Sequence, residues 1–275
     1  MTEFRTKVLG EMSWTEARDA ARQNPVVLLP IGAIEQHGPH LPIQEDSIVA
    51  EWVAHRVSEQ TSALVAPALH YGHSPMFRGF TGNLSLSAET LKSATYDIIK
   101  ALTESGFPRI VIVNNNGGNV GPVSSAAYDA RRDLGVLVGH VYPWSLGYAL
   151  MRDQYEDPAA VYGHGSEPEH SAMLAMFPDQ VRPTKSEGRE KLASAAGWTP
   201  TNYTEAAIPG QPINGTVFWD FSEISVSGCT GDPTVADAEL GKIWVERVVG
   251  FCTAYVNEFD RNTAGNLRSE LAEAN

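Results

Sequence analysis

Pro30-Ile31-Gly32-Ala33-Ile34-Glu35-Gln36-His37-Gly38-Pro39-His40-Leu41-Pro42, with Asp46 four residues on, is the stretch that sets the fold. Upstream, Val26-Val27-Leu28-Leu29 is a short β-branched and aliphatic run that stops at Pro and Gly, as a buried strand does. Downstream of Asp46, apolar Ile48, Val49, Trp52, Val53 and Val57 recur at helical spacing. Glu35, His37, His40 and Asp46 therefore lie between a strand and a helix. In extended chain Glu35 and His37 project to the same side, and Asp46 at the head of the next helix can swing in beside them. Carboxylate oxygens and imidazole nitrogens together suit a divalent transition metal.

The order of strand, polar loop and helix repeats along the chain. Ser13 and Glu16 have capping-box spacing, which predicts a helix to about Gln23, ended by Asn24-Pro25. Ala63 to Leu69 reads as a second strand, followed by a loop carrying His70, His73, Arg78 and Gly79 to Asn83. A helix over Ala88 to Glu104 places Leu91, Ala94, Ile98 and Leu102 on one stripe, with Gly106 as its stop. Ile110 to Val113 is a third strand that runs into Asn114-Asn115-Asn116-Gly117-Gly118-Asn119, then a helix from Pro122 to Leu134. Val136 to Tyr142 is a fourth strand, and Gly163-His164-Gly165-Ser166-Glu167-Pro168-Glu169-His170 opens a helix ending near Phe177. Residues 180 to 232 are loop-rich, with one more strand expected near Val217 to Ile224. Asp232-Pro233 predicts the start of a last helix through Phe259, and the polar tail after Asp260 is expected to fray. Such alternation implies βαβ units and a mostly parallel sheet covered by helices.

Length and composition fit one domain spanning 1 to 275, with 43% hydrophobic residues to build its core. Acidic residues outnumber basic ones, 33 to 20, for a net charge of −13 with no Lys/Arg block, which speaks against nucleic acid or an anionic membrane as partner. Cys229 and Cys252 form no CxxC pattern and are too few for a disulfide scaffold, so a reduced, cytoplasmic setting is expected. The first residues lack a signal peptide's apolar centre, and the apolar run from Val26 to Ile34 is too short to span a bilayer.

In an open parallel sheet the loops at the carboxyl ends of the strands share one edge, where ligands bind. The loops holding Glu35, His37 and Asp46, then Asn114 to Asn119, then His164 to His170 all follow strands and can converge. Each has a plainer explanation. Asp46 can cap its helix, Ser166 and Glu169 have capping-box spacing, and Gly117-Gly118 can be a tight turn. His55 and His140 read as ordinary partly buried histidines, and Trp144, Trp198 and Trp219 as core. The Asn-rich loop lacks the Lys-Ser/Thr of a P-loop, and no GxSxG is present.

Taken together, Gly32 to Pro42 with Asp46, Gly79 to Ser85, Asn114 to Asn119, His164 to Ser171 and Gly231-Asp232-Pro233 resemble the motifs of the creatininase (creatinine amidohydrolase) family over most of the chain. The resemblance implies a three-layer α/β/α sandwich, a hexameric ring, and a metal-dependent hydrolase site with one or two ions of manganese, iron or zinc. It would give Glu35 to one ion, His37 to the other, and Asp46 as the bridge. Asn116 stands where the family places a ligand histidine, and Gly118 where creatininases proper place a glutamate. Glu169 is then the expected replacement ligand, Glu167 the fallback, and Asn116 a weak ligand through its amide oxygen. His164 between two glycines is expected to move the proton, with Glu169 or Glu167 as further catalytic carboxylates. The N–H groups of Gly117 and Gly118 would steady an oxyanion, and Gln36 and His40 would orient the ligands. The implied substrate is a small cyclic amide or formamide. Two alternatives stand beside it: opening of an oxidised inositol ring at a carbon–carbon bond next to a ketone, and an inactive relative that only binds.

Overall fold

The structure, a computed structural model, describes residues 4 to 265. Strands β1 (Val27–Ile31), β2 (Leu64–Val65), β3 (Ile110–Asn114) and β4 (Val138–Val141) form one parallel sheet in the order β2-β1-β3-β4. In register, Val27 faces Leu64 on one side and Ile110 on the other, and Ile110 faces Val138. Helices α1 (Trp14–Ala21), α2 (Glu45–Gln60), α3 (Ala88–Glu104) and α4 (Val120–Leu134) alternate with these strands. After β4 come α5 (Pro143–Leu150), α6 (Pro158–Val161), α7 (Glu169–Met176) and α8 (Ala238–Thr263).

Every residue of β1 and β3 is buried, because both faces of the sheet are covered. The two-residue period of the strands sorts their side chains. Leu28, Val65, Val111, Val113 and Val141 enter one apolar cluster, closed by Val49, Val53 and Val57 of α2, Trp144 of α5, Met173 of α7 and Trp244 and Val248 of α8. Val27, Leu29, Ile31, Leu64, Ile110 and Ile112 enter the other, closed by Ala20 of α1, Leu91 and Ile99 of α3, and Val123 and Ala130 of α4. The sheet is thus the middle of three layers.

From β1 to β2 the chain steps one way across the sheet, and from β2 past β1 to β3 and β4 it steps the other way. Right-handed crossovers then demand that α2 lie on one face and α3 and α4 on the other, as observed. The reversal opens a crevice between the carboxyl ends of β1 and β3. Ile31 and Asn114 are the last paired residues, so the loops that begin at Gly32 and Asn115 leave the sheet side by side.

Local signals hold where chain chemistry dictates geometry. Ser13 and Glu16 form both bonds of their capping box. The α3 helix runs from Ala88 to Glu104, and Gly106, at φ +93°, turns its carboxyl end so that Phe107 N–H reaches Leu102 O. The second strand is shorter than expected, Leu64–Val65, because Pro67 has no N–H to extend the ladder.

Three expectations are corrected. No strand forms near Val217 to Ile224: Asp220 and Glu223 make a capping box on a 3-10 turn, Phe221–Glu223, that buries Phe221 against Phe77 and Ile224. The short antiparallel sheet in this region is β5 (Pro200–Asn202), β6 (Glu205–Ala206) and β7 (Gly215–Thr216). Asp232 caps only a 3-10 turn, Pro233–Val235, and the last helix starts at Ala238 under Asp237, whose side chain accepts from Glu239 N–H. That helix holds to Thr263 rather than fraying at Asp260, since Arg109 donates to Asp260 O at 2.5 Å, Thr263 Oγ1 at 3.0 Å and Asn24 O at 2.5 Å. Residues 266 to 275, the rest of the expected frayed tail, lie outside the described residues. Among the described residues no helix is long and apolar enough to cross a membrane.

Candidate metal centre

The loop leaving β1 lies hard against the head of α2. A Cβ on Gly32 would sit 2.3 Å from Ser47 Cα, and Ser47 Oγ donates to Ala33 O at 3.1 Å and His70 O at 2.7 Å. This contact brings Glu35 and His37 beside Glu45 and Asp46, all but inaccessible to solvent. His37 Nε2 is 3.8 Å from Glu35 Oε1 and 3.5 Å from Asp46 Oδ1, while Nδ1 on the opposite ring edge is 3.7 Å from Glu45 Oε2. The Trp144 indole N–H donates to Asp46 Oδ1 at 2.9 Å.

From the neighbouring β3 loop, Asn116 Nδ2 donates to Glu35 Oε2 at 2.7 Å and Asp46 Oδ2 at 3.0 Å. Its Oδ1 accepts Asn119 N–H at 3.0 Å, which fixes which way the amide points. Asn119 in turn donates to Gly32 O at 2.9 Å, tying the two loops together. From the third segment, Glu169 Oε2 accepts Gly165 N–H at 2.8 Å and Oε1 accepts the Tyr148 hydroxyl at 3.0 Å. The His164 ring stacks on Phe77 at 4.4 Å and lies 4.4 Å from the His37 ring. His164 Nε2 is 2.6 Å from Gln36 O. A carbonyl only accepts, so Nε2 carries the hydrogen and Nδ1 keeps the lone pair.

Glu35, His37 and His164 each offer a donor atom within 4.8 Å of one another. These residues line a cavity of about 520 Å³ with Asp46, Asn116 and Glu169, and neither lysine nor arginine is among its lining residues. Burial, and then the Asp46 charge, push the Glu35 carboxyl well above its usual range. Burial raises Glu45 likewise and lifts Glu169 to about 7. For His37 burial works downward, but the carboxylates of Glu45, Asp46 and Glu35 outweigh it and hold the imidazole well above its usual value. His164 is pushed well below by burial and by His37. Several buried carboxylates crowded around one imidazole, with no lysine or arginine among them, are unstable as anions. A divalent cation supplies the missing positive charge, and the oxygen and imidazole donors fit one.

The sequence profile of the family described as creatininase (creatinine amidohydrolase) matches residues 10 to 256. The chain belongs to the creatininase family. The creatinine amidohydrolase of Pseudomonas putida is 34% identical over 192 residues, 63% of this chain and 73% of that protein. The mycofactocin precursor peptide peptidase of Mycobacterium tuberculosis is 27% identical over 267 residues, covering 92% of each. A solved structure of a creatininase with manganese superposes with a TM-score of 0.73 at 26% identity, over 92% of this chain and 98% of that one. The three-layer fold is that of the creatininase structures, and the chain is by class a metal-dependent hydrolase.

Within this creatininase fold, Glu35, His37, Asp46, Asn116, His164 and Glu169 meet at one cavity, whereas Glu167 does not. Glu167 is turned behind the site, where it accepts the Tyr155 hydroxyl and Ser171 Oγ. The Asn116 oxygen expected to ligate is also turned away, and the atom facing Glu35 and Asp46 is an N–H donor. The plainer readings of two carboxylates fall as well. Asp46 is the second residue of α2, behind Gln44, and Glu169 bonds Gly165 N–H while Ser166 Oγ has no partner. Gly117 and Gly118 line the cavity, and Gly118 is required there because a Cβ would lie 1.9 Å from His73 O. Gln36 braces the loop by donating to Gly228 O at 2.9 Å and accepting Gly38 N–H at 2.8 Å, and His40 packs on His170 at 4.3 Å, off the cavity. Sequence reasoning missed Glu45, although it adjoins Asp46, and the wall of Tyr142, Tyr148, Tyr162 and Tyr203. Trp144, read as core, is both buried core and a donor to Asp46.

Proposed function

We propose that the protein hydrolyses a small, uncharged cyclic amide or formamide with the help of one or two divalent ions. The observation that carries this reading is the buried cluster of Glu35, His37 and Asp46 beside Glu169 and His164, with no lysine or arginine lining the cavity. Glu35, His37 and Asp46 would hold the metal, with Glu169 as the further carboxylate. This carboxylate-rich set leans toward manganese or iron over zinc. When bound, such an ion makes water acidic enough to attack near neutral pH and polarises a carbonyl. The cavity lining holds no lysine or arginine, so an anionic group on a substrate would find no ammonium or guanidinium to pair with, which favours an uncharged substrate.

The chain's own groups supply the rest. Glu169, with one oxygen on Gly165 N–H and the other on the Tyr148 hydroxyl, faces the cavity as the carboxylate placed to take up and return a proton. His164 is neutral, its Nε2–H engaged by Gln36 O, so Nδ1 is its single free acceptor and suits proton transfer to or from the leaving group. Phe77, Tyr142 and Tyr203 give a flat ring apolar walls, and Gly117 and Gly118 lie where their backbone can approach a carbonyl oxygen.

A second reading, opening of an oxidised inositol ring, is favoured by Asn116 in place of the family histidine and by the hydroxyl and amide groups of Tyr142, Tyr162, Asn202, Tyr203 and Thr204 around the cavity. By likeness to the family we also propose a hexamer, to be read by light scattering, and a cytoplasmic setting, which suits two free buried cysteines. Metal analysis of the purified protein is the first test, with Glu35→Ala and Asp46→Ala expected to remove most of the ion. Equal metal in wild type and both variants, with the fold intact by circular dichroism, would sink the reading. A hydrolysis screen of cyclic amides, formamides and polyhydroxylated cyclic ketones then separates the two substrates from an inactive relative.

A further inference from the structure

Glu45 has no exposed surface, and among the described residues neither of its side-chain oxygens has a hydrogen-bond partner. A carboxylate buried in that state costs free energy that the fold must find elsewhere. Its place as the first residue of α2 does not account for it, because no backbone N–H of the helix bonds to it. What it does face is His37. Glu45 Oε2 lies 3.7 Å from Nδ1, and Nδ1 has no other partner. The other ring nitrogen, Nε2, points between Glu35 and Asp46. An imidazole that ligates through one nitrogen must carry its hydrogen on the other, and a carboxylate at that second nitrogen fixes the tautomer, holds the ring plane and makes the ligand more basic.

We propose that Glu45 is a positioning residue: by accepting the Nδ1 hydrogen of His37 it turns the Nε2 lone pair toward Glu35 and Asp46 and presents it to a divalent ion. The inference rests on the metal-centre reading above and adds to it a residue that makes no contact with substrate or ion. It also explains why α2 begins with two successive acidic residues that are both buried. Asp46 faces the front of the His37 ring and Glu45 the back. The gap at Nδ1 is longer than a formed hydrogen bond, and drawing a cation to Nε2 leaves Nδ1–H as the ring's only hydrogen, which favours closing it.

The test uses metal-stripped protein, Glu45→Ala and the near-isosteric Glu45→Gln, titrated calorimetrically with Mn²⁺ and with Co²⁺, alongside the thermal midpoint of each metal-free form. The expected result is a loss of affinity of about 10- to 100-fold in Glu45→Ala, the range seen when such a partner is removed. Glu45→Gln, which keeps an oxygen acceptor without the charge, should recover part of it. The metal-free midpoint should stay level or rise in both variants, because an unpartnered buried carboxylate has been removed. A merely structural role would lower it. Affinity equal to wild type in both variants overturns the proposal, as does a loss of affinity that only follows a lowered midpoint. If wild type itself binds neither ion, the metal-centre reading fails first and this inference with it. Should Glu45→Ala not fold, Glu45→Gln alone decides between these outcomes.

Discussion

Metal-free protein should lose stability as the pH rises, and Glu169 sets the scale. Its carboxyl goes from an ordinary 4.5 up to about 7 on burial in the folded chain. The folded state therefore holds this proton more tightly than the unfolded state does. The stability this contributes is fully present below about pH 4, where both states are protonated, and it is lost as the pH climbs through about 7. At about pH 8 the ionised carboxylate costs the folded state about 3 kcal/mol, at about 1.4 kcal/mol per pH unit. Glu35 and Glu45, also raised by burial, push in the same direction. For a chain of this size about 3 kcal/mol lowers the thermal midpoint by roughly 6 to 12 °C. The assay is calorimetry or dye-monitored melting in chelator from about pH 5 to about pH 8, wild type against Glu169→Gln. The variant should lack most of the decline, and a saturating divalent ion should abolish it in wild type. A wild-type midpoint that stays flat or rises relative to Glu169→Gln over that interval would refute the account of the site as a charge-starved cluster.

Three further outcomes are expected. His164→Ala should keep its metal and its melting temperature while turnover falls about a hundredfold or more; metal loss in that variant would make Nδ1 a ligand instead. Asn116→His should raise ion affinity or stoichiometry in calorimetric titration, because it puts a lone pair where Asn116 now aims an N–H at Glu35 and Asp46. Trp144→Phe removes the buried bond to Asp46 and should cost about 1.5 to 3 kcal/mol in denaturant unfolding, the usual worth of a hydrogen bond to a charged group.

How much was legible follows from how local each signal is. The β1 run, the Asp46 helix, the Ser13 cap and the Gly106 stop act through neighbours within a turn or a strand, so they read directly from the sequence. Convergence of the three loops was also legible, since carboxyl ends of parallel strands share one edge whatever the side chains are. Orientation was not. Whether Asn116 turns its oxygen or its nitrogen to Glu35 depends on Asn119 N–H, and whether Glu167 or Glu169 faces the cavity depends on Tyr155, Tyr148 and Ser171. The segment around Asp220 misled because Val217 to Ile224 is apolar enough for a strand, while the Asp220/Glu223 capping box closes it into a turn. Glu45 went unread because a carboxylate at the first turn of a helix is ordinarily a solvated one.

The two faces of the sheet differ in when the chain can finish them. Among the described residues, every member of the cluster under α1, α3 and α4 comes before Gly139, so a chain emerging from its amino end holds all the material for that face at its midpoint. The opposite face waits for Trp144, Met173 and Trp244 to Val256. Glu35, Asp46 and Asn116 belong to the early half, His164 and Glu169 to the late one. Half a chain can therefore be half covered, yet it can hold only half a cavity: Glu35, His37 and Asp46 are made well before the His164 and Glu169 that close it.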